Sequence, residues 1–208
     1  MLPKYFESVL VKGWLHQPAG APKAAMALFH GAGTGCESPL MVAVAEAFCA
    51  AGYFVLRGDL PFRQQGTPPR GKSPLDRNGI RRAAEELRRL APGVRLCLAG
   101  HSYGGRQCSM LAAEDPLVAH ALLLLSYPLH PPRKPEDLRT EHFPNLRTPV
   151  LFVHGMRDPL GSIAEMNAAL ERIPGFHAMI GVDRAGHGLN PSIAPSLPPA
   201  LSAMMKLI

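Results

Sequence analysis

Ser102 sits at the centre of Gly100-His101-Ser102-Tyr103-Gly104, a GxSxG pattern. An apolar run (residues 94–100, VRLCLAG) precedes it, and a segment of helical character, GGRQCSMLAAE, follows directly. A serine on so tight a strand-to-helix turn is held at its tip, in a strained backbone conformation. Strand and helix then come close enough that side chains two positions either side would collide, which glycine at 100 and 104 avoids. The helix N-terminus behind the serine offers partial positive charge to an oxyanion forming there. The chemistry expected of such a serine is nucleophilic attack on an acyl carbon.

A serine hydroxyl is a poor nucleophile until a base takes its proton. The base expected is a histidine oriented by a carboxylate, and after this kind of turn the chain order is serine, then Asp or Glu, then histidine. Asp158 lies in HGMRDP, four residues past His154 at the end of another apolar run. His187 lies in AGHGL, just after a run ending near Val182. Ser102, Asp158 and His187 are therefore the candidate catalytic residues. The rivals fit less well. Asp183 is too near His187 in sequence to orient it, and Glu165 falls inside a helix and reads as surface. His177 begins a strand and reads as packing, while His30 and His154 end strands and read as structural hydrogen-bonding residues. His101 occupies the variable position of the turn, where its side chain need not face the site.

An oxyanion needs two backbone N–H donors. The residue after the nucleophile, Tyr103, supplies one. The other is expected from HGAG (residues 30–33), where small residues let the backbone approach a substrate oxygen; Ala32 is the candidate, with Gly31 or Gly33 next. A second motif is a decoy. Residues 66–73 (GTPPRGKS) match the phosphate-binding pattern GxxxxGK[ST]. That loop works through consecutive backbone N–H groups, and Pro68 and Pro69 have none. The segment also starts about ten residues after its strand, so it reads as a solvent loop with Arg63, Arg70 and Lys72 at most near the mouth of the site.

The elements that must position these residues alternate. An opening strand is expected around Val9 and Val11, then strands at 24–30, 53–57, 94–100, 119–127, 149–155 and 176–182. Helices are expected at 39–52 (Ser38 as N-cap, Pro39 at N1, Gly52 as stop), 78–90, 104–114, 162–173 and near the C-terminus in PSLPPALSAMMKLI. Strands alternating with helices imply a parallel sheet covered on both faces, with ligand sites at the carboxyl ends of the strands. Four such ends carry suggestive loops: HGAG, GHSYGG, HGMRDP and DRAGHGLN. The longest irregular stretch, 127–148, can form a short flap with one helical turn. Within it Tyr127, Leu129, His130 and Phe143 are candidates to line a substrate pocket.

At 208 residues the chain is expected to form a single domain with a full core. Hydrophobic residues make up 47% and charged residues 18%, the profile of a soluble globule and not of a disordered chain. No apolar run approaches the about 20 residues of a membrane span, and the first residues lack the apolar core of a signal peptide. Cys36, Cys49, Cys97 and Cys108 show no CxxC spacing and read as buried small hydrophobes, so neither zinc nor a disulfide framework is expected and a cytoplasmic setting is. The net charge of +6 suits anionic partners. The densest basic cluster, Arg81, Arg82, Arg88 and Arg89, surrounds Glu85 and Glu86 and reads as a salt-bridged helix face, so no nucleic acid is expected.

HGAG, GHSYGG, HGMRDP and AGHG, in this order, resemble the α/β-hydrolase fold serine hydrolases over roughly residues 24–189. The pattern is most similar to the small, lid-poor branch of dienelactone hydrolases and short carboxylesterases, with Ser102 where true dienelactone hydrolases carry a cysteine. The resemblance implies a mostly parallel sheet of six to seven strands with helices on both faces. It implies a hydrolase of small or medium carboxylic esters or thioesters, acting through Ser102, His187 and Asp158 and an acyl-enzyme. No cofactor or metal is called for, and the partner is a small-molecule acyl substrate. GHSYGGRQ and SYPLHPP also resemble a sub-branch in which some relatives are subunits of chromatin complexes, so the alternative is a non-catalytic interaction module on the same scaffold.

Overall fold

The computed structural model describes residues 2–189 and 193–208; Asn190 of the DRAGHGLN loop and Pro191 of the proline-rich stretch lie outside them. One eight-stranded sheet organises the chain. Its strands are β1 (Lys4–Ser8), β2 (Val11–His16), β3 (Ala24–Phe29), β4 (Tyr53–Asp59), β5 (Arg95–His101), β6 (Ala121–Leu125), β7 (Val150–Gly155) and β8 (His177–Val182). The spatial order is β1-β2-β4-β3-β5-β6-β7-β8. The β1–β2 and β2–β4 pairings are antiparallel and all others parallel. The sheet thus has eight strands, not six or seven. The single opening strand expected around Val9 is a hairpin, because Leu10 adopts φ 62° and turns the chain between β1 and β2.

Among the described residues six α-helices cover the sheet: α1 (Pro39–Ala50), α2 (Pro61–Gln64), α3 (Pro74–Leu90), α4 (Tyr103–Glu114), α5 (Ile163–Leu170) and α6 (Leu197–Leu207). Alternating strand residues point to opposite faces. Met26, Leu28, Val55, Cys97, Ala99, Leu123, Leu151 and Val153 meet α1 and α6 in one core. Ala25, Ala27, Phe29, Leu56, Leu98, Leu124 and Phe152 meet α3, α4 and α5 in the other. Both faces being covered, β3 and β5–β7 are apolar without alternation. The cysteines are free, three of them buried. Among the described residues no helix is long and apolar enough to cross a membrane.

Helix α3 starts at Pro74, four residues before the expected Asn78, because Ser73 caps it: the Ser73 hydroxyl accepts the Asp76 N–H at 3.2 Å. The preceding loop is correspondingly not a free solvent excursion. The Tyr103 hydroxyl sits 2.7 Å from the Arg70 carbonyl, and the Gly71 carbonyl accepts from Gln107 at 2.9 Å and from Arg106, so residues 70–71 are docked on α4.

Candidate active site

The turn between β5 and α4 holds Ser102 at φ 49°, ψ −114°, a conformation an L-residue keeps only when its surroundings impose it. The surroundings do. A Cβ on Gly100 would lie 2.5 Å from the backbone of Gly104 and Gly105, and one on Gly104 would lie 2.5 Å from the His30 carbonyl oxygen. The Ser102 N–H is tied to the Leu125 carbonyl of the neighbouring strand at 2.8 Å. Strand, helix and the end of β3 are therefore locked around the serine, with its side chain directed outward.

Ser102 Oγ lies 2.7 Å from His187 Nε2, and His187 Nδ1 lies 2.8 Å from Asp158 Oδ2. The carboxylate only accepts, so Nδ1 carries the proton and donates to it; Nε2 is then left as the acceptor of the serine hydroxyl. Asp158 is buried, and its other oxygen accepts the Leu160 N–H at 2.9 Å. Burial pushes the Asp158 carboxyl up, but the hydrogen bond and charge of His187 and the Leu160 N–H outweigh it, so it titrates below the ordinary carboxylate range. The loops bearing Asp158 and His187 are joined directly. The Arg157 N–H donates to the Ala185 carbonyl at 2.8 Å, and a Cβ on Gly155 would strike the Ala185 and Gly186 carbonyls at 2.5–2.6 Å.

His101 does more than the sequence suggested. It is buried, its Nε2 donates to the His187 carbonyl at 2.8 Å, and its ring lies 5.3 Å from that of His187. Burial, partly offset by the His187 carbonyl, lowers its pKa to about 4, so it is a neutral strut for the histidine loop. His30 and His154 are interior struts. His30 donates to the Gly31 carbonyl at 2.7 Å and accepts the Leu60 N–H at 3.1 Å; His154 donates to the Gly161 carbonyl at 2.7 Å. Glu165 closes a capping box with Ser162 at the start of α5, and Asp183 is exposed beside Arg184. Neither reaches His187.

Ser102 and His187 open into a cleft of about 520 Å³, within the range usual for small-molecule sites. Ala32 and Tyr103 line it beside Ser102. Among the described residues, their backbone N–H groups donate no hydrogen bond. The 127–148 segment contributes differently from expectation. Tyr127, Leu129 and Phe143 are fully buried in the core, and His130 is buried with its Nδ1 bonded to the Pro131 carbonyl; none of the four lines the cleft. The Tyr127 hydroxyl donates to the Arg139 carbonyl at 2.6 Å and its ring packs on Phe143 and Phe152, which turns it inward. From this segment Pro128, Pro132 and Arg139 face the cleft instead. Arg106 of α4 joins them. The sequence did carry a signal for Arg106, which stands four residues after Ser102 and so one helical turn above it. Arg139 has no local signal.

Solved structures share this architecture. TT1662 from Thermus thermophilus superposes with a TM-score of 0.77 at 24% identity, covering 100% of this chain and 98% of that one. A dienelactone hydrolase from Anabaena variabilis gives 0.78 at 23% identity, covering 98% of each chain. Est1E from Butyrivibrio proteoclasticus gives 0.79 at 17%, covering 99% and 98%. At these identities the likeness speaks to the fold. Residues 22–197, most of the chain, match the family described as alpha/beta hydrolase domain. The protein belongs to the α/β-hydrolase domain family, with an eight-stranded, mostly parallel sheet carrying a serine, a histidine and an aspartate together at the carboxyl ends of its strands.

Proposed function

We propose that the protein is a serine hydrolase of small or medium carboxylic esters or thioesters. The observation that carries this reading is the continuous chain from Ser102 Oγ through His187 to the buried Asp158 carboxylate, with bonds of 2.7 and 2.8 Å. In this reading His187 Nε2 takes the Ser102 proton as Oγ attacks the carbonyl carbon. Asp158 keeps Nδ1 protonated and stabilises the imidazolium that forms. The Tyr103 and Ala32 N–H groups hold the oxyanion, and the N-terminus of α4 adds to the favourable field. As the intermediate collapses, the bond to the leaving oxygen or sulfur breaks and His187 returns the proton to it. Water then attacks the acyl-Ser102 ester, His187 takes a proton from it, and the acid departs with the serine restored.

Hydrolysis of 4-nitrophenyl acetate and butyrate, and of the matching acyl thioesters, tests this. Wild type is expected to turn over at least one series, and Ser102→Ala to abolish that turnover while keeping the wild-type circular-dichroism spectrum and melting temperature. Wild-type rates in a folded Ser102→Ala protein would contradict the mechanism.

A further inference from the structure

The sheet has two edges, β1 and β8, and they are finished differently. An edge strand offers a row of unpaired N–H and C=O groups to any other strand, and charged side chains are a common protection against it. β1 has that protection: Lys4, Tyr5 and Glu7 are exposed, and Glu7 pairs with Lys12 at 2.9 Å. β8 reads HAMIGV and holds no Lys, Arg, Asp, Glu or Pro. Among the described residues no strand pairs with its outer side. The surface beside it is apolar. A groove of about 430 Å³ runs along β8 and α5, lined by Met156, Ile163, Leu170 and Met179 with His177 and Asn167. Met156 is 54% exposed there, and Phe176, immediately before the strand, is 59% exposed.

The register of β8 selects what can cover it. The Val150 N–H donates to the Phe176 carbonyl at 2.9 Å and the Met156 N–H to the Val182 carbonyl at 3.1 Å, so the even-numbered residues here bond to β7 and its loop. With a period of two, the N–H and C=O groups of His177, Met179 and Gly181 point outward from the edge. That set is symmetric about Met179. A second copy of β8 laid antiparallel, with the two-fold axis at Met179, puts Met179 opposite its own counterpart and His177 opposite the second copy's Gly181. Each such pair exchanges both its N–H···O bonds. The bulky imidazole then meets the residue that has no side chain. Met179 packs toward the α5 side of the sheet and Ala178 and Ile180 toward the other, so the pairing extends both apolar faces. No like charges meet within the strand. The exposed residues at its two ends, Glu171 with Arg172 and Asp183 with Arg184, give each end one charge of each sign, so the end-to-start juxtaposition is not repulsive.

We propose that the protein forms a two-fold symmetric dimer, joined edge to edge through antiparallel β8 strands into one continuous sheet. Ser102 follows β5, which β6 and β7 separate from β8, so each copy keeps its own cleft. The contact does not depend on the hydrolase reading above.

Sedimentation equilibrium of the full chain tests it. At about 50 μM, above the micromolar limit for interfaces of ordinary size, wild type is expected at twice the 22.4 kDa of one chain. Met179→Pro removes an outward N–H. It breaks the central pair of the dimer but no bond of the chain's own ladder, and is expected to weaken the dimer at least about tenfold. Met179→Lys keeps the backbone and sets like charges opposite each other, so the dimer is expected to weaken there too. Mixing Met179→Lys with Met179→Glu protein is expected to recover dimer beyond either variant alone, because residue 179 faces itself across the axis. Far-ultraviolet circular dichroism establishes that each variant is folded. Wild type that stays monomeric at that concentration, a dimer that Met179→Lys leaves as tight as wild type, or a mixture no tighter than the separate variants overturns the proposal.

Discussion

Helix α4 carries two serine–histidine pairs of nearly equal length. Ser102 Oγ lies 2.7 Å from His187 Nε2, and Ser109 Oγ lies 2.8 Å from His142 Nε2. Their surroundings are opposite. Ser102 stands at the helix N-terminus, strained and facing a cleft, with a buried carboxylate behind its histidine. Ser109 is two turns further on and fully buried, and its hydroxyl donates to the Arg106 carbonyl at 2.9 Å. His142 must then be the donor to Ser109 and cannot be its base. Burial, and then the Arg106 charge, push His142 down to about 4, so an imidazolium there is opposed, whereas His187 has the Asp158 carboxylate 2.8 Å behind its ring. A short serine–histidine distance does not make a nucleophile. The sign of the charge behind the ring decides which pair can accept a proton.

Substitutions can break that contrast. Ser102→Ala is expected to lower ester turnover by about 10⁴–10⁶-fold, measured as kcat on the best 4-nitrophenyl ester. Asp158→Asn gives the first histidine a neutral backing like that of the second, and kcat is expected to fall about 10⁴-fold with little change in the far-ultraviolet spectrum. Acid should act on both regions. His16, His101 and His142 have pKa values lowered to about 4, in each case by burial first. A histidine with a depressed folded value contributes stability that is present above its unfolded value of about 6.5 and is lost as pH falls toward 4. Urea midpoints are expected to fall steadily from pH 7 to pH 4, and His142→Gln to make that fall shallower. The depressed Asp158 carboxyl adds a further loss at still lower pH, by the same sign. The smallest effect is expected from Ser109→Ala. Its turnover should stay within about twofold of wild type, while stability drops by about 0.5–1.5 kcal/mol for the lost hydrogen bonds.

What could be read from the sequence follows the same divide. Ser102, Asp158 and His187 each follow an apolar strand at its carboxyl end, so local pattern and chain order suffice to bring them to one rim of the sheet. Gly100 and Gly104 are required by backbone contacts within a few residues or with the end of β3, and their spacing records that. The hairpin of β1 and β2 was hidden because a non-glycine, Leu10, makes the turn. Segment 127–148 is shaped by partners far away in sequence. Tyr127 is drawn inward by Phe152 and by the Arg139 carbonyl, and no local periodicity announces either contact. His101 was unreadable for the same reason, since its partner lies 86 residues on.

The most direct test of the account is labelling with a fluorophosphonate probe followed by peptide mapping. The wild-type protein should be modified at Ser102 alone, Ser102→Ala and His187→Ala should not be labelled, and Ser109→Ala should be labelled as fast as wild type. Folded wild-type protein that takes up no probe, or takes it up at Ser109, would contradict the assignment of Ser102 as an activated nucleophile.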